Sequence, residues 1–97
     1  MTLHAIALRF ELRLPGCRSL KEKRARLARL RRELRQHFDV SMAEVDHQDL
    51  PDRATWAVAL VSGDGATISR VALQLEKLVG AWPEAELLDV GEAHLVE

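Results

Sequence analysis

Residues 19–36 read SLKEKRARLARLRRELRQ. Ser19 with Glu22 three residues on has the form of a capping box, and Pro15-Gly16 breaks the chain just before it. From Leu20 to Gln36 there is no β-branched residue, and nearly every position holds a good helix former. Leu20, Leu27, Leu30 and Leu34 fall, at about 100° per residue, within a stripe of roughly 80°, which Phe38 would extend. The spacing predicts one amphipathic helix with a single core-facing side.

Upstream of it, His4 to Leu14 alternates, with His4, Ile6, Leu8, Phe10, Leu12 and Leu14 inward and a small or charged face (Ala5, Ala7, Arg9, Glu11, Arg13) outward. Downstream, Val40–Val45 is a short strand whose mixed pattern leaves its inner face open. HQDLPDR (His47–Arg53) is a polar connection, and the span from 46 to 55 is long for a hairpin, which predicts a flexible tip. Thr55–Val61 (TWAVALV) has no polar interruption and suits a central strand covered on both faces. Ser62-Gly63-Asp64-Gly65 forms a turn with Asp64 as the next N-cap. Ala66–Val79 places Ile68, Val71, Ala72, Leu75, Leu78 and Val79 on one face of a second helix, expected to end at Gly80. Ala85–Val96 is a final, acidic strand with Gly91 as a bulge candidate. The order β-α-β-β-α-β predicts an α+β, ferredoxin-like domain over residues 1–97: a four-stranded antiparallel sheet with both helices on one face.

Charge is polarised along this order. Between Arg18 and Arg35 nine Lys and Arg face two acids, Glu22 and Glu33, for a local +7; the rest of the chain carries −8, and the whole nets −1. Arg26, Arg29 and Arg32 are expected to look outward as a phosphate-tracking face, extended by Arg18, Lys21 and Arg35. Lys23 falls inside the leucine stripe, and Arg24 and Arg31 along one border. Either their stems snorkel along apolar surface with the heads in water, or they line a groove and grip an anion or an acidic loop. Long cations bordering a core commonly snorkel, so the first is expected.

Other chemistry finds little footing. The single Cys17 excludes an internal disulfide, and although its place before a helix favours a lowered pKa, no base accompanies it as a catalytic thiol requires. Asp46, His47, Asp49 and Asp52 crowd one loop but lack metal-ligand spacing, so an acidic loop is expected and no metal or cofactor. The glycine turn before the second helix lacks phosphate-loop spacing. Two Trp, two Phe and no Tyr are too few for a base-stacking platform. No apolar run is long enough to span a membrane, no leader pattern opens the sequence, and a cytoplasmic location is the default expectation.

At SLKEKR (Ser19–Arg24), VSMAEVDHQDL (Val40–Leu50) and VALVSGD (Val58–Asp64) the chain resembles the YlxP-like family of small bacterial domains. The matching positions are Ser19, Leu20, Lys21, Lys23 and Arg24 in the helix and Glu44, Asp46, His47, Gln48 and Asp49 in the loop. The resemblance implies a ferredoxin-like fold, and with no catalytic residues established for the family it carries none over to this chain. Genes of the family often lie near those for translation initiation and ribosome-binding factor A, which implies RNA or the ribosome as partner. Pro51 stands where the family often has an aromatic, which argues against stacking by this tip.

Two functions are therefore expected to compete. In the first, a non-enzymatic accessory of translation binds structured RNA through Arg18, Lys21, Lys23, Arg24, Arg26, Arg29, Arg32 and Arg35. In the second, a protein-interaction or homodimerising module sets the basic helix against acidic surface, such as the −5 segment from Asp39 to Asp64 of another copy. An enzyme has no nucleophile–base pair to stand on, and no small-molecule substrate is implied. The net charge of −1 is low for a free-standing RNA-binding domain.

Overall fold

Strict alternation in β1 (His4–Arg13) puts Ile6, Leu8, Phe10 and Leu12 in the core and leaves Ala7, Arg9 and Arg13 exposed on the opposite side. The computed structural model that shows this describes residues 2–97. After β1 come α1 (Leu20–His37), β2 (Ser41–Asp46), β3 (Arg53–Ser62), α2 (Gly65–Ala81) and β4 (Glu86–Val96). Every pairing is antiparallel, in the order β2-β3-β1-β4. Each helix thus links two parallel strands with a third between them, the interleaved split βαβ arrangement of the ferredoxin-like fold. Both helices cover the face that carries Ile6, Leu8, Phe10 and Leu12. The core joins these to Leu27, Leu30 and Leu34 of α1, Trp56 and Val58 of β3, and Ile68, Ala72, Leu75 and Val79 of α2.

Both helix starts follow the sequence signals. Ser19 accepts a hydrogen bond from Glu22 N at 3.1 Å, while Glu22 reaches back to Arg18 N at 3.3 Å, one residue before the cap. Asp64 accepts from Ala66 N and from the Thr67 hydroxyl. Together these hold its carboxyl below the usual range, the Thr67 bond counting most. The end of α2 differs from expectation: the helix passes through Gly80 to Ala81. Proline explains this, because Pro83 excludes helical geometry from the residue before it, and Trp82 accordingly adopts φ −69°, ψ 124°.

The inner face of the second strand, left open by its pattern, is decided, and two strand expectations are corrected. Val40, Met42 and Glu44 form the inner side of β2, since Met42 sits opposite Val58 and Glu44 opposite Trp56. β3 is covered on both faces only at Ala54–Trp56; further along, Ala59 and Val61 are exposed because no layer lies over that side. The β4 bulge falls between the pairs Glu11↔Asp89 and Leu12↔Leu87, leaving Leu88 as the extra residue. Gly91 instead makes room for a side chain, since a Cβ there would lie 2.8 Å from Nη2 of Arg9.

The β2–β3 connection, residues 47–52, is also shorter than expected and is tied down. Leu50 N bonds His47 O at 3.0 Å, and Leu14 N bonds Asp52 O at 2.8 Å. Leu30 and Leu75 are fully buried on the facing helices. Leu30→Ala and Leu75→Ala should each cost about 2–5 kcal/mol in urea denaturation, while Ala25→Ser on the exposed side of α1 should cost well under 1 kcal/mol.

Candidate functional site

The nine cations between Arg18 and Arg35 divide into three groups according to what the fold brings beside them. Lys23 is buried, its side chain only 2% exposed. Its ammonium donates to His47 O and Leu50 O at 2.7 Å each and lies 2.6 Å from Glu44 Oε2. The two carbonyl contacts are directional hydrogen bonds. The Glu44 contact lacks hydrogen-bond geometry and acts as a close ion pair. Snorkelling is thus overturned for Lys23: Leu20 and Leu27 flank it on the core side of the helix, and the acceptors come to it.

These acceptors lie in the loop the sequence singled out. His47 takes a left-handed backbone conformation, φ 62°, uncommon but tolerated by His. Its carbonyl serves Lys23 on the helix side, while its imidazole Nε2 lies 3.8 Å from Glu11 Oε2 on the other side of the sheet. Glu11 in turn accepts from the Thr55 hydroxyl at 2.8 Å and pairs with Arg9 at 3.2 Å. Asp46 Oδ1 accepts from His47 N at 2.7 Å. Gln48 and Asp49 are exposed. Nothing in the sequence marked Glu11, Thr55 or Arg9 as neighbours of this loop; the β1–β3 register places Glu11 opposite Thr55. Among the described residues no group of three or more His, Cys, Asp or Glu gathers where it could hold a metal ion. No helix among them is long and apolar enough to cross a membrane.

The second group is Arg26, Arg29 and Arg31, whose guanidiniums are engaged within the chain. Arg26 does not look outward: it donates to Pro15 O at 2.8 Å, Glu84 O at 3.2 Å and Glu22 Oε1 at 2.9 Å. Arg29 remains half-exposed but grips the Glu84 carboxylate through three contacts of 2.8–3.0 Å. Those bonds hold the Glu84 carboxyl below the usual glutamate range and push Arg29 upward. Glu22 is likewise lowered, first by the Arg18 N–H and then by Arg26. Arg31 lies 5.1 Å from the Trp56 ring centroid and points Nη1 at Met42 O, 3.5 Å away, on the sheet edge.

The third group is exposed: Arg18, Lys21, Arg24, Arg32 and Arg35. At about 100° per residue, Lys21, Arg24, Arg32 and Arg35 share an arc of roughly 80° that starts beside the leucine stripe at Arg24 and turns away from it. Exposed Ala25 and Ala28 lie along the same side, and both helix acids, Glu22 and Glu33, lie outside the arc. From Lys21 to Arg35 the stripe runs about 21 Å along the axis. Of the outward triad expected from spacing, only Arg32 belongs to it.

Residues 6–91 match the family described as "Protein of unknown function (DUF503)". Over 68 residues, covering 70% of this chain and 74% of the other, the sequence is 32% identical to "Uncharacterized protein YlxP" of Bacillus subtilis (strain 168). The chain belongs to this family. The SLKEKR and AEVDHQDL blocks that carried the resemblance meet at the Lys23 ammonium.

Lys23→Ala should cost about 3–5 kcal/mol, because it strands the Glu44 carboxylate. Replacing both partners, Lys23→Met with Glu44→Met, should recover part of that loss in urea denaturation. A double variant no more stable than the single one would put the weight on the two carbonyl bonds instead. For Glu84 the sign is that of a lowered carboxyl: its contribution to stability is present above the ordinary carboxylate range and lost as pH falls through the lowered value. A carboxyl NMR titration should find the Glu84 midpoint below the usual glutamate value, and Arg29→Ala should raise it.

Proposed function

We propose that this DUF503 domain binds structured RNA through the exposed stripe of α1, with Arg18, Lys21, Arg24, Arg32 and Arg35 as phosphate contacts and no catalytic role. The observation that carries the reading is the stripe's composition: four exposed cations within one 80° arc of the helix that contains neither helix acid, with exposed Arg18 just before the N-cap. A line of cations about 21 Å long suits a partner whose own charge repeats along its length, since each neutralised phosphate releases a counterion. Ala25 and Ala28 keep the middle of the stripe low, so a rigid backbone can approach without displacing bulky side chains. The net charge of −1 is compatible with this local field, because Glu22 and Glu33 are turned aside and Glu84 is held by Arg29.

Phosphate contacts carry position and affinity but no sequence information, so binding through this stripe selects shape and charge. The place of YlxP-like genes beside translation factors makes ribosomal or translational RNA the natural class, and a cytoplasmic location follows from it. Lys23, Arg26 and Arg29, committed within the chain, act on this reading only by fixing the helix in place.

Filter binding to structured RNA in rising salt tests it. The variant Lys21→Glu/Arg32→Glu/Arg35→Glu should weaken binding across unrelated sequences, and each lost contact should flatten the salt slope by roughly 0.7–0.9. Stability should hardly change, because these side chains are solvated. Wild-type retention that is weak and insensitive to salt would overturn the proposal. Loss of a protein pull-down with RNA retention untouched would assign the stripe to an acidic protein surface instead.

A further inference from the structure

The two edges of the sheet are finished differently. β2 is six residues long, is bulged before Asp46, and has Arg31 Nη1 aimed at its Met42 carbonyl from 3.5 Å. β4 is eleven residues long and has no such guard among the described residues. Its register shows which of its groups stand open. Leu3 and Glu97 exchange both backbone bonds, Leu3 N to Glu97 O and Glu97 N to Leu3 O, and so form a hydrogen-bonded pair. Alternation from there gives Ala5↔Leu95, Ala7↔Ala93 and Arg9↔Gly91 the same form. Val90, Glu92, His94 and Val96 therefore turn their N–H and C=O groups away from β1, to the open side. The bulge at Leu88 ends this run, which leaves about 20 Å of regular free edge. Side chains of the same four residues point to the helix side, since Glu92 pairs with Leu8 and His94 with Ile6, both in the core. There a groove of about 300 Å³ lies between β4 and α2, with Ala72 in its floor, Glu92 and His94 on the strand wall, and Leu73 and Glu76 on the helix wall. His94 Nε2 is 2.8 Å from Glu92 Oε2. Two carboxylates line this groove, and among the described residues no Lys or Arg does.

We infer that the 90–96 edge of β4 binds an extended peptide segment as a fifth strand, with lysine or arginine side chains of that segment seated in the groove between β4 and α2. Strand addition needs a row of open backbone groups for affinity and a place for alternate side chains for specificity. Both are present, and they coincide: the residues that display open N–H and C=O groups are the ones whose side chains border the groove. Charge selects the occupant. A second copy pairing through the same edge would bring the Glu76 and Glu92 of both chains to one seam, with no Lys or Arg to face them. An inward-turned acid on an edge strand deters such self-pairing. A basic strand instead meets the same acids as counter-ions, and a nucleic acid finds carboxylates where it needs cations. On its outer side the edge shows Ala93 and Leu95, while Arg9, which lies across Gly91, is already paired with Glu11. Apolar side chains on the outer side of the added strand therefore meet small, neutral surface. None of these residues belongs to the α1 stripe, so the inference does not rest on the proposed function.

Fluorescence anisotropy of the full chain with a labelled heptapeptide of alternating valine and lysine tests it. The peptide should bind saturably at one site, and a valine–glutamate heptapeptide should bind at least about tenfold more weakly. Glu76→Lys/Glu92→Lys should weaken the valine–lysine peptide by about tenfold or more with an unchanged circular dichroism spectrum. His94→Pro removes one open-side N–H while sparing every bond between β1 and β4, and should abolish binding. Only alternate N–H groups of an added strand face β4, so of two peptides N-methylated on either the valines or the lysines, one should bind and the other should not. No saturable binding of the valine–lysine peptide at millimolar concentration would overturn the inference, as would equal binding of the two N-methylated peptides. An unliganded chain that sediments as a dimer, and that His94→Pro returns to monomer, would give the edge to a second copy and overturn it equally.

Discussion

A lysine ammonium inside the protein sets the condition that the surrounding elements meet. Removing such a charge from water costs several kcal/mol unless its protons find acceptors. Here two loop carbonyls accept from it and one carboxylate pairs with its charge. Satisfying it obliges the 47–52 connection to fold back toward α1, turns His47 into a left-handed conformation, and holds Glu44 on the inner side of the short edge strand. One side chain thereby joins the first helix, the outermost strand and the hairpin loop. The loop that its length suggested was flexible is instead anchored at Lys23 on one side and at Leu14 on the other. The loop carbonyls of His47 and Leu50 are turned toward this charge.

The same principle divides the helix surface. Cations that meet an acceptor brought by another part of the chain are withdrawn: Arg26 and Arg29 to the segment around Glu84, Arg31 to Trp56 and the edge strand. Those that meet none are left in water. The basic character of residues 18–35 therefore amounts to several distinct jobs. The charge available to a partner is about half of what the count suggests, yet it is concentrated on one side with no acid among it.

The two layers present opposite chemistry. The helical side offers unpaired positive charge; the bare sheet offers small, neutral, nearly flat surface over half its length. An open α/β sandwich is exposed to its surroundings on the sheet side by construction, and exposed apolar patches of this kind on soluble domains mark contact surfaces.

Local pattern carried most of the fold. The alternation from His4 to Leu14, the leucine period of α1, the Ser19 and Asp64 caps and the order of elements are short-range consequences of side-chain periodicity and backbone hydrogen bonding, and they suffice for a ferredoxin-like sandwich. Residues 19–24 and 40–50 also sufficed to indicate the family. What periodicity does not contain is which distant segment comes to lie beside a given side chain. Glu84 is 55 residues from Arg29, and Leu50 is 27 from Lys23. Helical angle alone therefore made Arg26 and Arg29 look free and Lys23 look like a snorkelling cation. Likewise, an unbroken apolar run such as TWAVALV shows that a strand is apolar on both sides without showing that something covers both. For buried charge and for bare sheet alike, the deciding quantity is the neighbour, and neighbours far along the chain are set by register and packing.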